Sequence, residues 1–130
     1  MAGPVRARVL SVVDGDTIEV RAAIWLDQEV FARVRLAGVD APELRGRCER
    51  ERELASAARD YLAVRLAPRD GVAVEVQLHD IRYGKYAGRV LARVETLDGA
   101  DLGRGLMGAG LARPYAGGSR VTWCQEVQAD

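Results

Sequence analysis

Four carboxylates and two arginines occupy positions from which a small protein could do chemistry. Asp14 and Asp16 flank a glycine in "VVDGDTIEV", and Asp40 and Glu43 flank an alanine–proline pair in "RLAGVDAPELRGR", which opens on Arg35. Carboxylates with nearby backbone carbonyls make a hard oxygen site, suited to calcium or magnesium and poorly suited to zinc. "DGDT" is not an EF-hand loop, which needs glycine at its sixth position and glutamate at its twelfth. Taken alone, Asp14 and Asp16 read equally as a turn-forming pair. Taken with "VDAPE", they read as half of a metal site.

Glu43 lies three residues beyond Asp40, after the proline that stiffens the backbone there. A carboxylate beside a metal that does not need to ligate it can activate water as a general base, although Glu43 could equally cap a following helix. The chain has 18 arginines and one lysine, so most arginines must be solvated surface residues. Arg35 stands out because Val34 and Leu36 flank it in a strand whose alternate face is apolar, and Arg89 because it opens the fifth strand after the tight "YAG". Guanidinium groups converging on a phosphate hold it bidentately and stabilise charge that develops during displacement. Lys85 and Tyr86 combine a cation with an aromatic ring, as a phosphate and a stacked base would require, or else form an exposed hairpin tip. His79, the single histidine, reads as structural or solvated, and no Ser–His–Asp set can be assembled around it.

These residues must be positioned by regular elements, and the alternation predicts them. "VRARVLSVV", "DTIEVRAAI" and "EVFARVRLAGV" alternate apolar and polar residues with period two, separated by Asp14-Gly15-Asp16 and by "WLDQ", so an antiparallel meander is expected. "CERERELASAARDYLAVRLA" places Leu54, Ala58, Tyr61, Leu62 and Leu66 on one helical face. Two more strands follow, "VAVEVQLH" and "GRVLARVETL", around the polar loop "DIRYGKYAG". Asp101 can cap a short helix, "LGRGLMGAG", and the tail "LARPYAGGSRVTWCQEVQAD" reads as irregular. This order is that of a mainly β five-stranded Greek-key barrel of the oligonucleotide-binding type (OB-fold), with a helix between strands three and four and a C-terminal helix.

Composition sets the limits. With 130 residues, one domain is expected over 1–130, with a core from about 5 to 115 and an irregular tail over 116–130. Acidic and basic residues balance at 19 each, so any nucleic-acid role must rest on a local patch. Apolar runs fall far short of the ~20 residues that span a bilayer. The first residues show no secretory h-region, which leaves a secreted or periplasmic location open if a signal has been removed, and a cytoplasmic one otherwise. Cys48 and Cys124 are 76 positions apart outside any CxxC pair, and read either as two separate core residues or as a disulfide that would imply an oxidising compartment.

"VVDGDTIEV", "RLAGVDAPE", "KYAGRVLARV" and "GLARPY", in this order, resemble the staphylococcal nuclease (thermonuclease) family from about Val5 to Tyr115. The resemblance implies calcium-dependent hydrolysis of DNA and RNA by 5′ P–O cleavage, leaving 3′-phosphates. It makes Asp16 and Asp40 the calcium carboxylates, joined by the Ala41 backbone carbonyl, with Asp14 behind them. Glu43 becomes the general base, and Arg35 and Arg89 the phosphate clamp. Lys85 and Tyr86 match the nucleotide-contacting pair if "YAGR" carries one residue more than the family's usual "YGR", and Tyr115 matches a base-stacking tyrosine. Single-stranded nucleic acid is the expected partner, acted on by a monomer with no membrane association. Two departures bear on substrate binding: Gly84 stands where an aspartate commonly precedes the "KY" pair, and the zero net charge implies weaker, more salt-sensitive engagement of long nucleic acid. The alternative is a catalytically weak nucleic-acid-binding module on the same barrel.

Overall fold

Alternation in the first third of the chain forms three strands, β1 (Val5–Asp14), β2 (Thr17–Trp25) and β3 (Gln28–Leu36). The computed structural model that shows them describes residues 4–84, 89–118 and 121–124. A two-residue strand β4 (Val39–Asp40) and helix α1 (Glu49–Arg65) come next, then β5 (Glu75–Tyr83), β6 (Arg89–Thr96), helix α2 (Leu102–Gly108) and the short strand β7 (Arg113–Pro114). The five long strands close into a barrel in the order β1-β2-β3-β6-β5, with β5 returning to β1. All pairings are antiparallel except β3 with β6. Closure pairs the strand edges that would otherwise invite association. This is the expected OB-type barrel.

Period two decides which side chains fill it. Ala7 and Val9, Ile18 and Val20, Val34 and Leu36, Val76 and Leu78, and Ala92 and Val94 point inward and are buried, while Arg6, Arg8, Arg21 and Arg33 between them face solvent. Burying a valine, leucine or isoleucine this fully contributes about 1.5–3 kcal/mol, so the barrel interior dominates the stability. Helix α1 closes one side through Ala58, Leu62 and its C-cap Leu66, and α2 adds Leu102 and Leu106 to the same cluster. Asp101 caps α2 by accepting from the Arg104 amide at 3.0 Å. A Cβ on Gly105 of this helix would lie 2.2 Å from the Tyr61 hydroxyl, so Tyr61 would have to shift to admit it.

The structure departs from the sequence reading in five places. Strand β3 stops at Leu36, and Gly38 with φ of 80° turns the chain into β4 instead of letting one strand run on to Val39. Strand β5 starts at Glu75 and absorbs Asp80–Tyr83 from the expected loop, because a bulge between His79 and Arg82 lets pairing with β6 resume at Leu91 and Val90. The buried stripe of α1 includes Ala55, with Leu54 and Tyr61 only half-buried, since the helix approaches the barrel on its small residues. Part of the stretch read as irregular pairs as β7 with β4. Finally, the cap of α1 is Cys48, whose sulfur accepts from the Glu51 amide at 3.4 Å, and not Glu43.

Candidate active site

The Asp14-Gly15-Asp16 turn joins β1 to β2, and Asp14 Oδ1 accepts the Asp16 amide at 3.0 Å, which tightens it. Gly15 is buried against α1 and the segment after β4: a Cβ there would lie 2.6 Å from Ala58 Cβ and 3.5 Å from Ala41 Cβ. That contact brings the paired aspartates beside the Asp40-Ala41 backbone. Asp16 accepts from the Thr17 hydroxyl at 2.9 Å and lies 3.6 Å from Arg35 Nε. Burial, followed by the hydrogen bond to Asp14 and its charge, pushes the Asp16 carboxyl up to about 7, with Arg35 and Thr17 pulling the other way.

Arg35 is placed by β3, where it pairs with Thr17 of β2 and Leu91 of β6. Its Nη2 donates to the Val39 carbonyl at 3.2 Å, so one guanidinium spans the start of β2 and the residue before Asp40. Arg89 lies opposite Arg33 on the parallel neighbour β6, on the same outward face as Arg35. Tyr115 follows β7, is held by its amide to the Gly38 carbonyl at 2.9 Å, and sets its ring 6.0 Å from the Arg35 guanidinium. Arg35, Gly38, Arg82, Leu91, Arg93 and Tyr115 line an open cleft of about 490 Å³. Lys85 and Tyr86 lie outside the described residues. His79 faces Glu95 at 3.3 Å and takes part in none of these contacts.

Asp40 is 2% exposed, and its Oδ2 accepts from the Trp123 indole at 3.1 Å. Glu43 is exposed, and its backbone amide is held by the buried Glu51 carboxylate at 3.0 Å. Glu51 also accepts the Arg47 amide at 3.3 Å. Cys48 and Cys124 form a disulfide with Cα atoms 5.7 Å apart.

Sequence reasoning missed Glu51 and Trp123. Glu51 had a signal: it stands three residues after the cap Cys48, where a capping-box glutamate reaches back to amides before the helix. Trp123 had none, lying in a stretch without periodicity.

The candidate metal donors, Asp16 and Asp40 with the Ala41 carbonyl and Asp14 behind, are all hard oxygens, a chemistry that fits calcium. Among the described residues no group of three or more His, Cys, Asp or Glu side chains is arranged to hold an ion, so two carboxylates would have to be completed by carbonyl oxygen and water. No helix among these residues is long and apolar enough to cross a membrane.

Residues 33–128 match the family model described as staphylococcal nuclease homologue. A protein of Escherichia coli named an uncharacterized endonuclease is 30% identical over 118 residues, which cover 88% of this chain and 64% of that relative. The chain thus spans less than two-thirds of the relative's length.

Proposed function

This chain belongs to the staphylococcal nuclease homologue family, and we propose that it is a calcium-dependent nuclease acting on DNA or RNA, with single-stranded substrate favoured. In this reading the bond to the 5′-oxygen breaks and a 3′-phosphate remains. The observation that carries it is the Arg35 guanidinium, 3.6 Å from Asp16 and 3.2 Å from the Val39 carbonyl at the rim of the Tyr115 cleft. A phosphodiester entering that cleft meets a fixed cation 3.6 Å from the partly buried Asp16 carboxylate.

Asp16, Asp40 and the Ala41 carbonyl are the residues that would hold calcium, with Asp14 tightening the turn behind them. When bound, the ion supplies positive charge that polarises the phosphodiester. Glu43, exposed and with its backbone amide held by the Glu51 carboxylate, accepts the proton of the attacking water, a role typically worth about 10²–10⁴-fold. Arg35 and Arg89 bind phosphoryl oxygens and oppose the charge that builds on them. Tyr115 offers a ring on which a splayed base can stack, which favours unpaired substrate.

The test is release of acid-soluble nucleotides from heat-denatured DNA, with calcium and with a chelator, for the native protein and Glu43→Gln in parallel. Calcium-dependent release that falls at least about 10²-fold in the variant is expected. No release by the native protein at millimolar calcium would refute the nuclease reading in favour of the binding module. Full activity in Glu43→Gln would refute the base assignment.

A further inference from the structure

We propose that Trp123 is a positioning residue for Asp40, seated by the Cys48–Cys124 disulfide, so that the calcium carboxylates are fully organised only while that disulfide is closed. The proposal rests on the nuclease reading above and extends it to a part of the chain with no regular secondary structure.

After β7 the described tail is mostly exposed, with Val121 at 68%, yet Trp123 is only 8% exposed. Its indole Nε1 donates to Asp40 Oδ2 across 83 positions of sequence. An uncharged donor can fix the plane of a carboxylate without cancelling its charge, whereas an arginine or lysine in its place would compete with the cation. Hydrogen bonds of this kind to metal-ligating carboxylates typically change metal affinity or activity 10–100-fold when removed.

Two anchors set the indole in place. Arg113, whose backbone pairs with Asp40 in the β4–β7 bridge, stacks its guanidinium 3.7 Å from the Trp123 ring centre. The same guanidinium donates to the Val121 carbonyl at 2.9 Å and the Thr122 carbonyl at 3.2 Å. On the other side, Cys124 is covalently tied to Cys48. Cys48 caps α1 within three residues of Glu51, which holds the Glu43 amide. The tail thus links the segment of the base to the carboxylate of the metal. Without the tether, the exposed stretch must keep Trp123 in place through the Arg113 contacts and the hydrogen bond to Asp40, against a larger entropic cost of ordering it.

Reduction of the disulfide by a dithiol takes two electrons and two protons, yields both thiols, and converts the reductant to its own disulfide. Three proteins and one treatment test the idea: the native chain with and without a dithiol, Trp123→Phe, which keeps a ring for Arg113 but has no N–H, and the Cys48→Ser/Cys124→Ser pair. Calorimetric calcium affinity, the indole N–H resonances of the metal-free protein and kcat against KM on a single-stranded oligonucleotide are measured. Trp25, 73% exposed, provides an internal reference resonance.

Trp123→Phe is expected to bind calcium about 10–100-fold more weakly, with a modest fall in melting temperature from the Asp40 oxygen that loses its donor. Its kcat is expected to fall with little change in KM. Opening the disulfide by either route is expected to move the Trp123 resonance toward that of Trp25 and to weaken calcium in the same direction. Native-like calcium affinity in Trp123→Phe would overturn the positioning role. An unmoved indole resonance in the reduced protein would overturn the tether. A native chain that binds no calcium would remove the nuclease reading and this proposal together, whereas native binding indifferent to Trp123 would remove the proposal alone.

Discussion

The carboxylate of Glu51 holds the backbone amide of Glu43 at 3.0 Å, eight residues back along the chain, and takes the Arg47 amide with its other oxygen. Two orphan amides ahead of α1 are satisfied by one buried side chain, and the segment that presents Glu43 is clamped to the helix. Glu51→Gln keeps the volume but leaves one acceptor and turns an NH₂ toward an amide. The expected cost is about 1–3 kcal/mol of stability. A fall in kcat with KM nearly unchanged should accompany it, read by denaturant melts and steady-state kinetics on one preparation. Unaltered kcat would show that Glu43 does not need the clamp.

Arg35 reaches Asp16 with one nitrogen and the Val39 carbonyl with another. A lysine carries the charge but not the fork, so it cannot make both contacts and still meet a phosphate. Arg35→Lys is expected to lose about 10²-fold or more in kcat. Native-like kcat for the lysine variant would mean that charge alone suffices there.

Gly15→Ala tests the approach of the aspartate turn to α1. The added Cβ would stand 2.6 Å from Ala58 Cβ, so helix or turn must shift. Overpacking of this kind costs about 1–3 kcal/mol. Adding Ala58→Gly should restore much of the calcium affinity lost in the single variant. A single variant with native melting and native calcium affinity would contradict the contact.

The Asp16 carboxyl, raised to about 7 first by burial and then by Asp14, makes the metal-free protein pH-sensitive. Because the folded value lies above the unfolded one near 3.8, the folded state binds this proton more tightly. Its contribution to stability is complete below the unfolded value and is lost as pH rises through about 7. In chelator, Asp16→Asn should therefore gain on the native protein steadily as pH rises from about 4 to about 7, then level off. Denaturant midpoints across that range decide it, and a pH-independent difference would show that Asp16 ionises normally.

Much of the fold was legible because its causes are local. Alternation through Val9, Ile18, Val20, Val34 and Leu36 specifies strands and their inner faces, and Ala58 and Leu62 mark a helical stripe, whichever partner covers it. The bounds that moved, at Leu36 and around Asp80–Tyr83, depend on a turn and on a bulge that pairing with β6 creates. Neither leaves a periodic trace.

The sequence by itself determined the residue types of the candidate site, the closed barrel that carries them and, through its motifs, the family. Tertiary structure alone decided that Glu51 turns back to Glu43, that Trp123 meets Asp40, and that Cys48 and Cys124 meet across 76 positions. The reason is physical: strands and helices are selected by neighbours two to four residues apart, whereas a buried polar contact between an irregular tail and a strand end exists only after the barrel has closed and made a place for it.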